Sequence, residues 1–422
     1  MNENFLHFIW ENNLFEKKDL ITDTNEKIEV LALGQKNTDA GPDFFNAKIK
    51  IGNQTWAGNV EIHIKSSDWI AHKHNTDKAY DNVILQAVAE NNQPTRRTTN
   101  RQIPTIELKY DPKLLNNYLE LYNSKQKIAC FSKIKYLDKF TIKHWLGRLQ
   151  IERLEQKSKI IEQLLLQNNN SWEETFYQYI AQNFGFKKNS VPFELLAKSL
   201  PLKYLSKHKN SLFQIEAMLF GQAGMLENNY EVDYYQKLKN EYKFLKNKFQ
   251  LDPIDSHLWI FLRLRPPNFP TIRIAQFAQL IYQSSQLFSK IIEIENIGKI
   301  KNLFNLEAST FWETHYLFDK ESKKRTKKLG KSAVNNILIN TVSLFLFVYG
   351  MKKSNESLQN RALSLLESIE PENNSIINNW EKANLKIENA YYSQALIQLN
   401  NEYCKKQRCL NCQIGNKLIV KI

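Results

Sequence analysis

The sequence predicts an α+β protein in which a small N-terminal α/β domain precedes a larger all-α domain and a C-terminal cysteine cluster. Within residues 1–115, short apolar runs alternate with a period of two, which is typical of strands. From about residue 138 onward, apolar residues recur at helical spacing. Three of the four cysteines fall within nine residues near the C-terminus. We therefore expect domains at 1–115, 116–400 and 401–422.

The composition limits the classes of function. The chain has 422 residues, of which 42% are hydrophobic and 12% aromatic, so it can fill more than one large core and is not intrinsically disordered. Basic residues exceed acidic ones and give a formal net charge of +14. That excess indicates a polyanionic partner such as nucleic acid, or a membrane surface. A general bias toward Lys, Asn and Ile explains the same charge without any partner.

The N-terminus and the longest apolar stretch bear on localisation. The first twenty residues carry four carboxylates and lack the basic and apolar regions of a signal peptide. The longest apolar stretch, residues 337–349, is interrupted by polar residues and is shorter than a bilayer requires. We therefore expect a cytoplasmic protein with no membrane partner. In that reducing compartment, clustered cysteines indicate a metal site before disulfides.

The N-terminal domain is expected to contain one helix and about five strands. Apolar spacing predicts the helix over residues 3–18. Gly52 marks a hairpin turn, and Gly58 marks a bulge in the returning strand. A loop or short helix over 66–77 and a basic loop over 94–101 connect the later strands. The predicted strands cover residues 27–33, 45–51, 54–65, 80–89 and 103–108.

The rest of the chain is expected to be helical throughout. A long amphipathic helix is predicted over residues 141–166, and Ser171 is a suitable N-cap for the next helix over 172–184. Gly221 and Gly224 predict close helix packing or a helix C-cap. Further helices are predicted from residue 112, and over residues 192–200, 211–226, 231–249, 253–263, 272–288, 333–348, 355–368, 373–380 and 385–400.

A group of polar side chains lies on two neighbouring predicted strands. Pro42-Asp43 begins the first strand, and Glu61, His63 and Lys65 occupy alternate positions of the second, so these three share one face. Two carboxylates brought together by a hairpin can hold Mg²⁺ or Mn²⁺ through oxygen ligands. A nearby His or Lys can then position or deprotonate water. An ordinary solvated sheet face is the alternative interpretation.

Two histidines, His72 and His74, follow the second strand closely. They can complete the acidic site, contact phosphate, or lie in a solvated loop. Together with His63 and Glu61 they can instead bind Zn²⁺ or Fe²⁺. That alternative predicts a metalloenzyme that acts on a small molecule.

The order and spacing of these residues resemble the PD-(D/E)XK nuclease superfamily over about residues 1–110. Pro42-Asp43 matches the Pro-Asp element, and Glu61-Ile62-His63 matches the Glu-x-Lys element with His in place of Lys. The resemblance implies a restriction-endonuclease-like fold and metal-dependent hydrolysis of phosphodiester bonds.

The resemblance also implies roles for individual residues. Asp43 and Glu61 would hold the metal, and His63 or Lys65 would position the attacking water. His72 and His74 would assist, as a His after the Glu-x-Lys strand does in some members. The substituted lysine position leaves open a second possibility, a non-catalytic nucleic-acid-binding protein on a degenerate nuclease scaffold.

Taken whole, the chain also resembles an uncharacterised bacterial family that is known as a domain of unknown function. This resemblance covers most of the chain and supplies no activity. The recognisable segments are residues 41–44, 58–63, 68–69, 72–74, 220–224, 263–270 and 409–412.

Five arginines are expected to contact nucleic acid, with DNA as the favoured partner. Three of them lie in the basic loop beside the acidic site, and two flank a proline-rich segment between helices. Arginine is well suited to bidentate phosphate contacts. Structural pairing at a helix junction is the alternative for the second group. The five are Arg96, Arg97, Arg101, Arg265 and Arg273.

The cysteines predict a second metal site. Cys404, Cys409 and Cys412 follow one another at spacings of four and two residues, and Cys130 is the remaining candidate for a fourth ligand. Four thiolates suit Zn²⁺ or a [4Fe-4S] cluster. The segment is similar to the cysteine loop of helix-hairpin-helix DNA glycosylases, with a shorter first spacing and no final cysteine. Three free thiols on a terminal tail are the alternative.

Overall fold

The computed structural model describes residues 2–284 and 286–421. The protein is a mixed α+β protein with a sheet near the N-terminus and a mostly helical remainder, as the sequence predicts. Its contacts divide into two compact units. The first unit comprises Met1–Leu146, Asn378–Leu385 and Ile397–Ile422, and the second comprises Gly147–Ile377 and Lys386–Leu396. All four cysteines therefore belong to the same unit as the sheet.

A six-stranded sheet forms the centre of the first unit. Its strands are β1 Ile28–Ala32, β2 Gln35–Lys36, β3 Phe44–Ile51, β4 Gln54–Lys65, β5 Val83–Glu90 and β6 Thr105–Glu107. The order is β1-β3-β4-β5-β6, and β2 pairs with β3. Pairs β1–β3 and β3–β4 are antiparallel, whereas β4–β5 and β5–β6 are parallel. The strand positions agree closely with the two-residue alternation of the sequence.

A bulge shifts the register between β3 and β4. Phe44 pairs with Val60 and Ala47 with Gly58, so β3 contains one residue more than β4 over this interval. Asn46 accommodates the extra residue with a left-handed φ of 57°. The bulge therefore lies on β3, opposite the position where it was predicted.

Two glycines are required by the local geometry of this sheet. Gly52 has a φ of 58° in the two-residue hairpin loop, which confirms the predicted turn. At Gly58, an added Cβ would lie 2.4 Å from Ile84 Cγ2 and 2.7 Å from the carbonyl oxygen of Asn82. Gly58 therefore allows β4 and β5 to approach each other.

Helix α1, Glu3–Glu11, packs its apolar face on the sheet and is shorter than predicted. It stops because Asn13 adopts a left-handed φ of 57°, while the side chain of Asn12 bonds a carbonyl of the last turn. The indole N–H of Trp10 donates to the carbonyl oxygen of Leu33 at 3.0 Å and ties the helix to the end of β1. The apolar residues beyond Asn13 belong to a bridge and a loop rather than to the helix.

Seventeen further α-helices follow among the described residues. They are α2 Asp68–Ala71, α3 Pro112–Tyr122, α4 Lys139–Gln167, α5 Trp172–Phe184, α6 Ser190–Ser199, α7 Leu202–Ser206, α8 Leu212–Gln222, α9 Asp233–Phe249, α10 Pro270–Gln283, α11 Leu287–Glu293, α12 Ile297–Asn302, α13 Lys331–Ile337, α14 Ser343–Lys352, α15 Glu356–Glu367, α16 Ser375–Lys382, α17 Ala390–Gln398 and α18 Gln413–Lys421. Six of them agree with the predicted helices within two residues at both ends, namely α4, α5, α6, α9, α15 and α16, and α3 begins at residue 112 as predicted. The short helices α7, α11 and α12 were not predicted.

Two predictions about this region are wrong. Residues 253–263 contain only a 3₁₀ turn at Ser256–Leu258, because their backbone and side chains bond to the end of α8. The indole N–H of Trp259, for example, donates to the carbonyl oxygen of Ala223 at 2.8 Å. The region is also not entirely helical, since β7 His315–Leu317 and β8 Lys320–Glu321 form a small hairpin.

The second unit is built around a large helical core, and its predicted glycine roles are confirmed. A Cβ at Gly221 would lie 2.0 Å from the ring of Tyr242, so α8 and α9 pack closely there. Gly224 has a φ of 70° just after α8. The predicted N-cap is present as well, because Ser171 Oγ accepts a hydrogen bond from the N–H of Glu174.

The most apolar helical segment is longer than the sequence pattern indicates. A π-helical stretch at Leu338–Val342 joins α13 to α14, giving a continuous helix over Lys331–Lys352. Its length of 22 residues and a mean hydropathy of 1.5 over its most apolar 18 residues are enough, by length and composition, to cross a membrane. However, 67% of its most apolar part is buried inside the protein, which is typical of a core helix.

Candidate functional site

Asp43 and Glu61 lie side by side at the open end of the β3–β4 hairpin. Asp43 immediately precedes β3 and, by the register of the hairpin, faces Glu61 on β4. The backbone N–H of Asp43 donates to Glu61 Oε2 at 3.0 Å, and the N–H of Ile62 donates to Asp43 Oδ2 at 2.9 Å. This reciprocal pair of hydrogen bonds fixes the orientation of both carboxylates.

Glu61 is held in an environment that disfavours its charge. Its exposed fraction is 5%, and this burial raises the pKa of the carboxyl group. The nearby charge of Asp43 raises the pKa of Glu61 further, whereas a hydrogen bond from His74 lowers it. His74 Nε2 lies 3.3 Å from Glu61 Oε1, and the imidazole stacks on Tyr80 with ring centroids 3.7 Å apart.

His63 is buried and neutral. Its exposed fraction is 1%, and burial lowers its pKa to about 3, with further lowering by His74 and His72. Gln86 lies on β5, beside β4. Its Nε2 is 3.0 Å from His63 Nδ1 and 3.3 Å from the carbonyl oxygen of Ser66. Because a carbonyl only accepts hydrogen bonds, this contact identifies the amide nitrogen as the donor to both groups.

The orientation of Gln86 determines where His63 carries its proton. The other end of the amide, Oε1, accepts hydrogen bonds from the hydroxyls of Thr95 at 2.8 Å and Thr105 at 3.4 Å. His63 Nδ1 must therefore accept, and the neutral ring is protonated on Nε2. That atom is 3.7 Å from Glu61 Oε1 and has no hydrogen-bond partner among the described residues. A buried N–H donor is thus left available beside Glu61.

Three imidazoles converge at this site. One nitrogen each from His63, His72 and His74 lies within 4.8 Å of the other two, a separation that would allow a shared metal ion. His74 is almost fully buried, while His72 is exposed. The structure therefore brings together five of the six predicted catalytic residues.

Lys65 is the sixth, and the structure does not bring it to the two carboxylates. Its side chain is about half exposed, and Nζ lies 3.4 Å from Glu90 Oε2. Its backbone N–H donates to Asp68 Oδ2 at 2.9 Å, which gives that carboxylate a role in the turn after β4. The lysine shares the face of Glu61 but points to solvent at the end of the strand.

Helix α1 contributes two residues that sequence reasoning missed. His7 Nε2 lies 3.2 Å from Asp43 Oδ2, although the two are not aligned for a hydrogen bond. Burial raises the pKa of Glu3, and His72, Asp43 and His7 are all close enough to influence it. Glu3 and His7 are four residues apart and so lie on the same side of α1, and this spacing was the available signal.

The predicted nucleic-acid contacts divide into internal and exposed arginines. The Arg97 guanidinium donates to the carbonyl oxygen of Val83 at 2.7 Å, within its own region of the sheet. Arg273 is buried, donates to Asn268 Oδ1 at 2.6 Å, and burial lowers its pKa to about 10. Arg96 bonds a carbonyl of its own loop. The side chains of Arg101 and Arg265 are exposed.

The four cysteines line one small cavity of about 20 Å³ in the first unit. Burial raises the pKa of the Cys130 thiol, and Cys412, Cys404 and Cys409 are each close enough to raise it further. The structure thus brings Cys130 to the C-terminal cluster, although more than 270 residues separate Cys130 from Cys404 in the sequence.

Comparison with known proteins gives a family without an activity. No curated protein matches the chain, and no solved structure matches it either. A family model described as "Protein of unknown function (DUF2851)" matches residues 3–375, which includes the whole Asp43–Glu61 site. The resemblance to a domain of unknown function is therefore confirmed, while the nuclease-like character of the N-terminal region stays a prediction. The chain belongs to the DUF2851 family.

Proposed function

We propose that this protein is a metal-dependent hydrolase that cleaves phosphodiester bonds in nucleic acid at the Asp43–Glu61 site. One observation carries the proposal. Two carboxylates are locked together by reciprocal backbone hydrogen bonds, with the unpartnered Nε2–H of His63 beside them. This arrangement combines metal-binding oxygens with a preorganised donor, as hydrolysis of a phosphodiester requires.

The donor set fits Mg²⁺ or Mn²⁺. Asp43 Oδ2 and Glu61 Oε2 each accept one backbone N–H, which orients the carboxylates and leaves further lone pairs for a hard cation. Burial and the neighbouring charge of Asp43 raise the pKa of Glu61, and a bound cation would lower it by favouring the ionised carboxylate. When bound, the divalent ion would supply an activated water and offset charge on the phosphate.

His63 would take the position that lysine holds in the PD-(D/E)XK pattern. Because its ring is neutral and protonated on Nε2, it would donate a hydrogen bond to water or to a phosphate oxygen beside Glu61. His74 would orient Glu61 through its own contact at 3.3 Å. In this scheme Lys65 has no part in the reaction, since its ammonium group pairs with Glu90 instead.

A cleft in the first unit supports nucleic acid as the substrate class. In the same unit, a polar cleft of about 710 Å³ is lined by the exposed side chains of Tyr122, Lys406 and Arg408, among other residues. Aromatic rings stack with bases, and cationic side chains follow a phosphate backbone. The formal net charge of +14 adds a long-range attraction for such a partner.

A second candidate is a metalloenzyme that acts on a small molecule through His63, His72 and His74. The close approach of their three nitrogens, within 4.8 Å, favours it. The hydrogen bond from Gln86 disfavours it, because ligation through Nε2 of His63 requires the proton to move to Nδ1, where the amide already donates.

The experiment compares cleavage of plasmid DNA, single-stranded DNA and RNA by purified full-length protein with Mg²⁺ or Mn²⁺. We expect metal-dependent cleavage that falls at least about 100-fold in Glu61→Gln and in Asp43→Asn. Lys65→Ala is the matched control on the same strand and should keep activity within about threefold.

Each other outcome has a definite meaning. If metal-loaded wild-type protein cleaves none of the three substrates, the proposal is wrong. Nucleic-acid binding that survives Glu61→Gln without any cleavage would identify a non-catalytic scaffold. Tight binding of Zn²⁺ or Fe²⁺ that is lost on removal of His72 would favour the small-molecule enzyme.

A further inference from the structure

The four cysteines come from two distant parts of the chain, both in the first unit. Cys130 lies in the irregular segment between α3 and α4. Cys404 ends the π-helical stretch Leu399–Cys404, and Cys409 begins a 3₁₀ turn. Cys412 immediately precedes α18. All four line the same cavity, so the fold directs two distant parts of the chain to one point.

The backbone between Cys409 and α18 is tightly folded. The N–H of Cys412 donates to the carbonyl oxygen of Cys409 at 3.3 Å, and the N–H of Asn416 donates to the carbonyl oxygen of Cys412 at 2.8 Å. A Cβ at Gly415 would lie 2.1 Å from the carbonyl oxygen of Cys409. Glycine is therefore needed where the helix meets the Cys-x-x-Cys turn.

The surroundings of the cavity suit a cationic centre. All four cysteines are free thiols, and Cys412 is 7% exposed. The other lining groups are apolar or small, such as Leu121 and Ala129, with Arg408 also at the cavity. Four thiolates and one divalent ion carry a net charge of −2, which the Arg408 guanidinium would partly offset.

We propose that Cys130, Cys404, Cys409 and Cys412 together bind one divalent metal ion, Zn²⁺ by preference, in a tetrathiolate structural site. Tetrahedral sulfur ligation is the usual arrangement for structural zinc, with a Cys-x-x-Cys pair among the ligands. This inference is independent of the proposed hydrolase activity.

Such a site would fasten the C-terminal segment onto the region after α3. The two regions already touch, since Asn117 Nδ2 donates to the carbonyl oxygen of Ile419 at 3.1 Å and α18 packs on α3. A metal bridge from Cys130 to the cluster would close a loop of more than 270 residues and stabilise this docking. The site would thereby also fix Arg408, which lies at the polar cleft.

The test measures metal content of the purified full-length protein by inductively coupled plasma mass spectrometry, before and after dialysis against a weak chelator. We expect about one zinc per chain, released in step with titration of the thiols by a mercurial reagent. Exchange of zinc for Co²⁺ should give the near-ultraviolet absorption of thiolate-to-cobalt charge transfer. Cys130→Ser should lose most of this absorption, whereas the double variant His72→Ala/His74→Ala should retain it.

The wild-type mercurial titration keeps the test decisive if Cys130→Ser fails to fold. Four thiols that react at once in native protein without releasing metal, and no charge-transfer band with Co²⁺, would overturn the proposal. Iron with inorganic sulfide and broad visible absorption would overturn the single-ion assignment. If the cobalt absorption is lost in the double variant His72→Ala/His74→Ala but kept in Cys130→Ser, the ion does not bind at the four cysteines.

Discussion

Replacing His63 by Gln should remove a large part of the acid sensitivity of the metal-free protein. His63 is buried and its pKa is lowered to about 3, below the ordinary value of 6.5. As the pH falls, the imidazole of His63 is therefore protonated in the unfolded chain before it is protonated in the folded protein. The stability that neutral His63 contributes is fully present above pH ~6.5 and is lost progressively as the pH falls toward ~3.

The magnitude follows from the two pKa values. Between about pH 7 and about pH 5, protonation in the unfolded state alone lowers the free energy of unfolding by about 2 kcal/mol for pKa values of 6.5 and about 3. Glu61 acts in the opposite direction, because its raised pKa favours proton uptake by the folded protein. Since Glu61 is present in both proteins, the comparison of wild type with His63→Gln isolates the histidine.

Urea unfolding followed by circular dichroism, in the presence of a chelator, measures this difference at the two pH values. His257→Gln is the matched control, because its side chain is 74% exposed and the chemical change is the same. We expect the free energy of unfolding of His257→Gln to fall with pH as it does in the wild type. In His63→Gln the fall between the two pH values should be smaller by about 2 kcal/mol. Equal pH dependence in wild type and His63→Gln would show that His63 is not a buried neutral imidazole.

Two further predictions concern packing and charge. Gly58→Ala should lower the free energy of unfolding by about 1–3 kcal/mol, because its Cβ would lie 2.4 Å from Ile84 Cγ2. Gly330→Ala, where an added Cβ meets nothing within 4 Å, should change it by less than about 0.5 kcal/mol; equal thermal melts of the two variants would contradict this account. Arg273→Met should destabilise by about 2 kcal/mol or more, since it removes buried hydrogen bonds, and should leave DNA affinity unchanged. Arg101→Ala should weaken DNA binding and leave the free energy of unfolding unchanged. The salt dependence of its DNA binding should fall by about one released ion. A fluorescence-anisotropy titration in which Arg273→Met weakens DNA binding more than Arg101→Ala does would refute this prediction.

The meeting of Asp43 and Glu61 could be predicted because it depends on local rules. A two-residue turn at Gly52 sets the register of the β3–β4 hairpin, and side-chain alternation sets the face. The long helices could be predicted for the same reason, since apolar spacing and the cap at Ser171 are local signals. Cys130 could be predicted as the candidate for a fourth ligand because it is the single cysteine outside the C-terminal cluster.

The features that were missed depend on contacts distant in sequence. Gln86 reaches His63 because β5 lies parallel to β4, and no local pattern reports which strands pair in parallel. His7 reaches Asp43 because α1 packs beside β4. The false helix over 253–263 has helical composition but finds its hydrogen bonds at the end of α8. Tertiary contacts decided each of these cases.

The proton on His63 separates the two metal chemistries considered for this site. A Zn²⁺ or Fe²⁺ centre needs Nε2 as a lone-pair donor, and that form needs an acceptor beside Nδ1. Gln86 presents an N–H there instead, and its amide cannot turn over without placing Oε1 against the carbonyl oxygen of Ser66. The network around Gln86 therefore maintains His63 as a hydrogen-bond donor. A donor beside two fixed carboxylates suits an oxygen-ligated Mg²⁺ or Mn²⁺ hydrolase, which is why we propose Asp43 and Glu61, rather than the three histidines, as the metal-binding residues.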